Sequence, residues 1–185
     1  VIFAAGISEV KTNTLKGLWD KELQRRSARD TMFNSLKNAA SQFYKREGDK
    51  CYLLAGYPWF KATAREEFLA LPGCTMGIGR SEYWDAIVNK TAVEEIRAFM
   101  NGQPHKLAGI DEPDALLWFI RAIQEYANYT SIEEVSKLYG QLIIDIMVFI
   151  RGQQHPRLFL HSNGLVWVNG KDRPATWMNA VEDGR

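Results

Sequence analysis

The chain has 185 residues, a formal net charge of +1 and a hydrophobic fraction of 46%. This length is enough for one domain with a sizeable core, and the near-neutral charge gives no sign of a nucleic-acid partner or of binding to an acidic membrane surface. No secretory signal peptide and no apolar run of transmembrane length is present, so we expect a cytoplasmic protein with no membrane partner.

Six helical patterns run through most of the chain, each marked by apolar residues at three- and four-residue spacing. The predicted helices cover about residues 14–26, 28–46, 65–88, 91–100, 113–126 and 131–152. After residue 152 the period changes, and Asn163-Gly164 between two short apolar runs predicts a β-hairpin. We therefore predict a mainly α protein with about six helices and one small hairpin near the C-terminus. Because the loops hold the aromatic and charged residues, a helical toroid is favoured over a parallel bundle.

Residues that start or interrupt helices set several of these boundaries. Thr14 is predicted to cap the first helix, and Thr91 and Ser131 each precede a glutamate by three residues, which is the capping-box pattern. Pro113 is predicted to begin the fifth helix. The proline and glycine at residues 72–73 predict a break within the third.

Cysteine and histidine content gives no indication of a metal or a cofactor. Cys51 and Cys74 are too few for a disulfide framework, and their spacing leaves open whether they pair or remain free thiols. His105, His155 and His161 lack the spacing of metal ligands. We therefore predict no metal site.

An aromatic loop followed by charged residues is the most informative stretch of the chain. Residues 55–60 read Ala-Gly-Tyr-Pro-Trp-Phe, and Arg65-Glu66 follows just before an apolar helical pattern. A pyranose has apolar C–H faces that stack on aromatic rings and a fringe of hydroxyls that need paired donors and acceptors, so such a loop suits a sugar. The alternative for Arg65-Glu66 is a surface ion pair at the start of a helix.

Residues 55–60 resemble the Gly-Tyr-Pro-Trp-Phe run of glycogen debranching enzymes, the amylo-α-1,6-glucosidases. Residues 114–119 resemble that family's Asp-Ala-x-Leu-Trp-Phe element, and residues 176–179 resemble its Thr-Trp-Met-Asp motif. The resemblance implies an (α/α)6 toroid that hydrolyses the α-1,6 bond of glycogen branch stubs with inversion and without a cofactor. It also implies that residues 14–185 are the N-terminal half of this catalytic domain, and that residues 1–13 are a linker or the end of a preceding β domain. Such a fragment is expected to be inactive alone, because the family's catalytic base is a Glu near the end of the toroid.

The position of the family's general acid is occupied here by Asn179. An amide does not give up a proton at useful pH, so the acid is missing where the family keeps it. Either activity is lost, or a nearby carboxyl substitutes; the neighbouring candidates are Asp172, Glu182 and Asp183.

The resemblance also implies a set of substrate-binding residues. They are Trp59, Arg65, Glu66, Asp114, Trp118 and Trp177. Arg65 would donate a bidentate pair of hydrogen bonds to adjacent sugar hydroxyls, whereas Glu66 replaces the family's Asp and reaches one methylene further. On physical grounds alone, Asp114 is equally suited to the first turn of a helix, and Trp118 to a hydrophobic core.

Four further expectations concern partners and alternatives. The expected partner is glycogen or a branched α-glucan, and the exposed helix faces of a half toroid are expected to promote self-association. The main alternative is a non-catalytic glycan-binding or structural helical domain that has lost the general acid. A second alternative is an unrelated helical toroid lined by aromatics for prenyl substrates, but the sequence has no Asp-rich motif for a metal-bound diphosphate.

Overall fold

The computed structural model describes residues 10–56, 59–168 and 173–178. These residues are mostly helical, as predicted for the fold class, and they form two small antiparallel hairpins where one was predicted. The chain divides into two compact units at residue 42. Among the described residues, no helix is both long and apolar enough to cross a membrane.

The first unit contains two short helices. Helix α1 (Leu15–Arg25) lies close to the predicted bounds, and a 3-10 turn at Thr12–Thr14 precedes it. The predicted capping role of Thr14 is wrong: its hydroxyl donates to the carbonyl oxygen of Lys11 at 2.7 Å, so it closes the preceding turn instead. Helix α2 (Met32–Ala40) starts later than predicted.

The start of α2 is set by a capping residue that we had not predicted. The hydroxyl of Thr31 accepts a hydrogen bond from the backbone N–H of Asn34 at 3.1 Å. This is the standard side-chain cap of a helix N-terminus, and it satisfies one of the donors left free there.

The second predicted helix was wrong beyond Ala40, because a hairpin replaces its last turn. Strand β1 (Tyr44–Glu47) pairs with β2 (Lys50–Leu53) in antiparallel register. The two-residue turn between them contains Gly48 at φ 67°, a left-handed conformation that glycine adopts without a Cβ penalty. Residues 51–53 are buried, so the strand is stabilised by the core rather than by local helix propensity.

Four helical segments follow the aromatic loop. They are α3 (Ala64–Cys74), α4 (Ser81–Trp84), a π-helical segment (Asp85–Ala92) and α5 (Val93–Met100). The predicted break near residues 72–73 is confirmed, since α3 ends at Cys74 and a 3-10 turn follows at Met76–Ile78.

Thr91 was wrongly predicted to cap a helix, because α4, the π-helical segment and α5 form one continuous run. The Thr91 hydroxyl donates to the carbonyl oxygen of Ala86 at 2.8 Å and accepts from the backbone N–H of Cys51 at 3.1 Å. The side chain is fully buried. Thr91 therefore joins the π-helical segment to β2, a long-range contact that local sequence does not reveal.

The last elements follow the predicted order. They are α6 (Ala115–Tyr126), α7 (Ile132–Arg151), β3 (Leu158–Leu160) and β4 (Val166–Val168). Ser131 caps α7 as predicted, accepting from the backbone N–H of Glu134 at 3.1 Å. The predicted hairpin is confirmed, with Leu158 opposite Val168. Pro113 lies in the turn before α6 rather than inside the helix.

Aromatic contacts tie the helices of the second unit together. Phe68 of α3 packs edge-on against Phe119 of α6, with ring centroids 5.3 Å apart. Trp84 stacks on Tyr126 of α6 at 4.2 Å and donates its Nε1–H to the Tyr139 hydroxyl of α7 at 3.0 Å. Because α6 contacts both α3 and α7, the starts of α3 and α6 are held on one rigid frame.

Candidate functional site

The centre of the candidate site is Arg65, in the first turn of α3. Although charged, it is only 5% exposed. Its Nε donates to Asp114 Oδ1 at 2.7 Å, and its Nη2 donates to Glu112 Oε2 at 3.0 Å and to the carbonyl oxygen of Pro174 at 3.3 Å. The alternative of a surface ion pair with Glu66 is therefore wrong, since Arg65 is buried against carboxylates of the loop before α6.

Backbone contacts bring these two parts of the chain together. The backbone N–H of Ala64 donates to the carbonyl oxygen of Ala108 at 2.8 Å, and Thr63 forms a parallel bridge with Ala108. The segment before α3 thus runs beside the segment that leads to α6. This pairing places the first turn of α3 next to Glu112 and Asp114.

Asp114 and Trp118 belong to the same hydrogen-bonded network as Arg65. While Asp114 Oδ1 accepts from Arg65, its Oδ2 accepts from Trp118 Nε1 at 3.1 Å. Asp114 makes no capping hydrogen bond to the start of α6. Its carboxylate therefore orients a guanidinium and an indole, while the Trp118 ring also packs against the hydrophobic core.

Two further arginines extend this network. Arg157 Nη1 donates to Glu112 Oε2 at 2.8 Å, and Arg173 Nη2 donates to Asp111 Oδ2 at 2.6 Å. We call these side chains the arginine cluster, which comprises Arg65, Arg157, Arg173, Asp111, Glu112 and Asp114. Three guanidinium groups face three carboxylates, so the cluster is electrically balanced, which matters most at the largely buried Arg65 and Arg157 ends of the cluster.

Four members of the arginine cluster were missed from the sequence: Asp111, Glu112, Arg157 and Arg173. The available signal was the density of acids just before α6, with three in residues 111–114. An acidic run beside a helix is ordinarily a solvated surface, so this signal does not point to burial. The arginine partners lie 45 to 62 residues away in sequence, beyond the reach of any local pattern.

The arginine cluster holds the segment that carries Trp177. Arg65 donates to the carbonyl oxygen of Pro174, and Arg157 Nη2 donates to that of Arg173 at 3.2 Å. Trp177 follows three residues after Pro174 and is 56% exposed, so its ring is open to a ligand. Asn179, the position of the expected acid, lies outside the described residues, as do the substitute carboxyls at residues 172, 182 and 183.

Trp59 and Glu66 lie outside the arginine cluster. Trp59 is 84% exposed at the tip of the aromatic loop, and the half-buried Glu66 hydrogen-bonds with the Thr63 hydroxyl. The aromatic loop is closed by the Phe60 N–H, which donates to the carbonyl oxygen of Gly56 at 2.8 Å. A Cβ at Gly56 would lie 2.9 Å from the Phe60 ring, so glycine is what allows this close approach.

The most perturbed carboxyl of the described chain is Glu67, but it lies in the core rather than in the site. It is fully buried; Oε2 accepts from the backbone N–H of Leu53 at 2.8 Å, and Oε1 has no hydrogen-bond partner among the described residues. Burial raises its pKa from 4.5 to about 8, with a further contribution from Glu95. Because no solvent reaches it, Glu67 is a structural acid.

No metal or disulfide chemistry is evident in the described residues. Within that part of the chain, no group of three or more His, Cys, Asp or Glu side chains is arranged to hold a metal ion. Cys51 and Cys74 are both free thiols, which settles the alternatives that their spacing left open. The hydrogen bonds of the arginine cluster can orient and anchor the segment that carries Trp177. The exposed ring of Trp177 offers a stacking surface.

Comparison with known proteins gives one match. A family model described as amylo-alpha-1,6-glucosidase matches residues 37–185. No curated protein and no solved structure matches the chain. The matched region contains the whole arginine cluster and both hairpins, whereas α1 and the first part of α2 precede it.

Proposed function

Because this chain belongs to the amylo-alpha-1,6-glucosidase family, we propose that the full-length protein acts in glycogen debranching. The proposed reaction is hydrolysis of the α-1,6-glucosidic bond of branch stubs with inversion at the anomeric carbon. An inverting site needs an acid and a base about 6.5–9.5 Å apart, with a water between the base and the sugar. We propose that residues 14–185 form one half of an (α/α)6 catalytic domain, inactive alone, and that the protein is cytoplasmic, as befits glycogen metabolism.

The observation that carries this proposal is the union of three separate motifs in one network. Arg65, Asp114 and Trp118 are joined by hydrogen bonds, and Arg65 also holds Pro174, three residues before Trp177. A pocket wall built in this way presets the geometry of its surface residues before substrate arrives, which lowers the entropic cost of binding.

The roles of the individual residues follow from their contacts. Within the described residues, the bonds of Arg65 use Nε and Nη2, so Nη1 remains available to donate to sugar hydroxyls. The exposed Trp177 ring would stack on the C–H face of a glucose unit. Asp114 and Trp118 act as positioning residues in this scheme, since their polar atoms are already engaged. Trp59 and Glu66 would contact the glucan from the aromatic loop and the first turn of α3.

Asn179 favours a second candidate function, in which the protein binds glycans without cleaving them. An amide at the acid position removes the proton donor that leaving-group departure needs. An acid supplied from a neighbouring position would have to reach the same oxygen, and a displacement of about 1 Å can cost about a hundredfold in rate. In this alternative the stacking and hydrogen-bonding residues keep their roles.

Glucose release from a branched limit dextrin by the full-length protein tests the choice between these functions. The unchanged protein is compared with its Asn179→Asp variant. Release by the unchanged protein supports hydrolysis and assigns the acid to another carboxyl. No release from it, together with release after Asn179→Asp, supports the non-catalytic alternative. No release from either variant would contradict the assignment of residue 179 as the acid position.

Exposed apolar side chains support a further proposal, that the 185-residue chain self-associates. On α7, Ile144 is 55%, Met147 41% and Val148 62% exposed, and they lie within about one turn on one face. Contiguous exposed apolar surface of this kind marks contact sites. Sedimentation velocity over a concentration series should show a rise in mass for the chain, and a smaller rise for Val148→Lys; a single monomer species throughout would contradict the proposal.

A further inference from the structure

A cavity of about 570 Å³ lies beside the aromatic loop and shares no lining residue with the arginine cluster. It is bounded by the first hairpin, by residues 60–62 that follow the loop tip, and by residues 106–108. Small-molecule sites usually have volumes of about 300–1,000 Å³, so this one is large enough for a hexose with a substituent.

The cavity has an excess of positive charge. Lys45, Lys61, Lys106 and Glu47 line it, so three ammonium groups face one carboxylate. Glu47 Oε1 lies 2.7 Å from Lys45 Nζ, and its Oε2 lies 3.6 Å from Lys106 Nζ. No carboxylate of the described residues lies within ion-pair distance of Lys61. Since the whole chain carries only +1, this concentration of cations is local and would attract an anion.

One wall of the same cavity is aromatic. Phe60 lines it and is 64% exposed, with its ring held against Gly56 by the short loop closure. Leu54 and Tyr52 add apolar surface beside it. An open ring next to ammonium groups suits a ligand that has an apolar face and an anionic substituent on the same small frame.

We propose that this cavity binds a hexose phosphate, with the phosphate among Lys45, Lys61 and Lys106 and the pyranose face on Phe60. The ligand is thus an anionic sugar, in contrast to the neutral glucan of the proposed function. Lys45 and Lys106 both lie near Glu47, so the phosphate oxygens would bind these two lysines either in place of the Glu47 carboxylate or beside it. Lys61 has no carboxylate partner among the described residues and can bind the phosphate without displacing one. Residues 60–62 of the cavity wall directly precede Thr63 in sequence, so a ligand bound there would contact the segment that leads into α3.

Isothermal titration of the full-length protein with glucose 6-phosphate at low ionic strength tests this proposal. We expect saturable binding, with inorganic phosphate at least tenfold weaker and glucose not detectable. Lys61→Gln should weaken glucose 6-phosphate binding about fivefold to tenfold. Lys137→Gln, which removes the same charge from an exposed position on α7, should leave it unchanged. Phe60→Ala should weaken glucose 6-phosphate without changing the affinity for inorganic phosphate.

Several results would overturn the proposal. Equal affinities for glucose 6-phosphate and inorganic phosphate would mean that the aromatic wall makes no contact with a sugar. Equal effects of Lys61→Gln and Lys137→Gln would mean that binding follows total charge rather than the cavity. Lys106→Gln provides a second variant at the same cavity, and circular dichroism of each variant ensures that a loss of binding does not arise from unfolding.

Discussion

Stability should fall as the pH rises from 6.5 to 8, because the buried Glu67 keeps its proton in the folded protein while the unfolded chain has already lost it. In the unfolded chain this carboxyl has a pKa of 4.5, and in the folded protein burial raises it to about 8. The folded state therefore keeps a proton that the unfolded state has lost. The stability that the protonated Glu67 carboxyl contributes is fully present below pH 4.5 and is lost as the pH rises to about 8.

The size of the effect follows from the same values. Between the two pKa values the free energy of unfolding falls by about 1.4 kcal/mol per pH unit, so about 2 kcal/mol is lost between pH 6.5 and 8. Over the whole interval the loss is about 5 kcal/mol, comparable to the total stability of a marginal domain. The charge is costly because Glu67 is fully buried and its Oε1 has no hydrogen-bond donor among the described residues.

Urea unfolding followed by circular dichroism at pH 6.5, 7.25 and 8 measures this slope. Glu67→Gln keeps an oxygen acceptor for the Leu53 N–H but does not titrate. We expect it to abolish the slope, at a pH-independent cost of about 1–3 kcal/mol for its buried amide N–H groups. Glu133→Gln on the exposed surface of α7 is the matched control and should keep the slope. The same slope in Glu67→Gln as in the unchanged protein would refute the reasoning.

Three other predictions concern the described residues. Arg65→Ala should destabilise the protein by about 3 kcal/mol in urea unfolding, because it removes the ion-pair partner of the largely buried Asp114 carboxylate and one of the guanidinium groups that bind Glu112; in a double-mutant cycle with Asp114→Ala the losses should be less than additive, and strict additivity would argue against the pairing. His155 has the opposite pH dependence: burial lowers its pKa to about 4, so the unfolded state binds the proton first and the stability that this group contributes is lost as the pH drops from 6.5 towards 4. Because Glu67 opposes this loss down to pH 4.5, the acid limb should be seen in Glu67→Gln, whose stability should fall as the pH drops from 6.5. His155→Asn keeps an acceptor for the two backbone N–H groups that His155 Nδ1 serves, and it should flatten this acid limb of the stability profile. Gly48→Ala should lower the melting temperature by an amount equivalent to about 1–2 kcal/mol, because its φ of 67° is left-handed; an unchanged melting temperature would mean that the turn readjusts at little cost.

Elements with complete local signals were predicted well from the sequence. Helix α7 has a capping serine, a long apolar stripe and a glycine at its end, and the structure keeps all three. The C-terminal hairpin has an Asn-Gly turn between β-forming runs, and it forms in the expected place. In these elements local preference and tertiary packing agree, so periodicity alone is sufficient.

Elements that depend on distant partners were predicted poorly. Residues 41–46 continue a helical apolar spacing, yet residues 44–46 belong to strand β1, because β2 pairs with them and residues 51–53 of β2 are buried. The sequence pattern predicts that Thr91 caps a helix. Instead Thr91 lies within a continuous helix, where its hydroxyl donates to the Ala86 carbonyl oxygen and accepts from the Cys51 N–H of β2. Strand pairing and π-helical insertion are decided by contacts that a short window does not contain.

The residues of the candidate site also differ in whether the local sequence indicates them. Arg65, Asp114 and Trp118 were found because they lie in recognisable motifs, and the structure joins them by direct hydrogen bonds. Glu112 and Arg157 belong to no motif, and their ion pair spans 45 residues. The sequence thus indicates the residues that lie in motifs more readily than the distant partners that hold them in place.

Binding of a branched limit dextrin to the full-length protein tests the central claim most directly. Trp177→Ala is compared with Trp19→Ala, since these two rings are 56% and 50% exposed and Trp19 precedes the region matched by the family model. We predict that Trp177→Ala weakens binding about tenfold, equivalent to about 1.4 kcal/mol, and that Trp19→Ala leaves it unchanged. Equal affinities for both variants and the unchanged protein would contradict a glucan site at the arginine cluster.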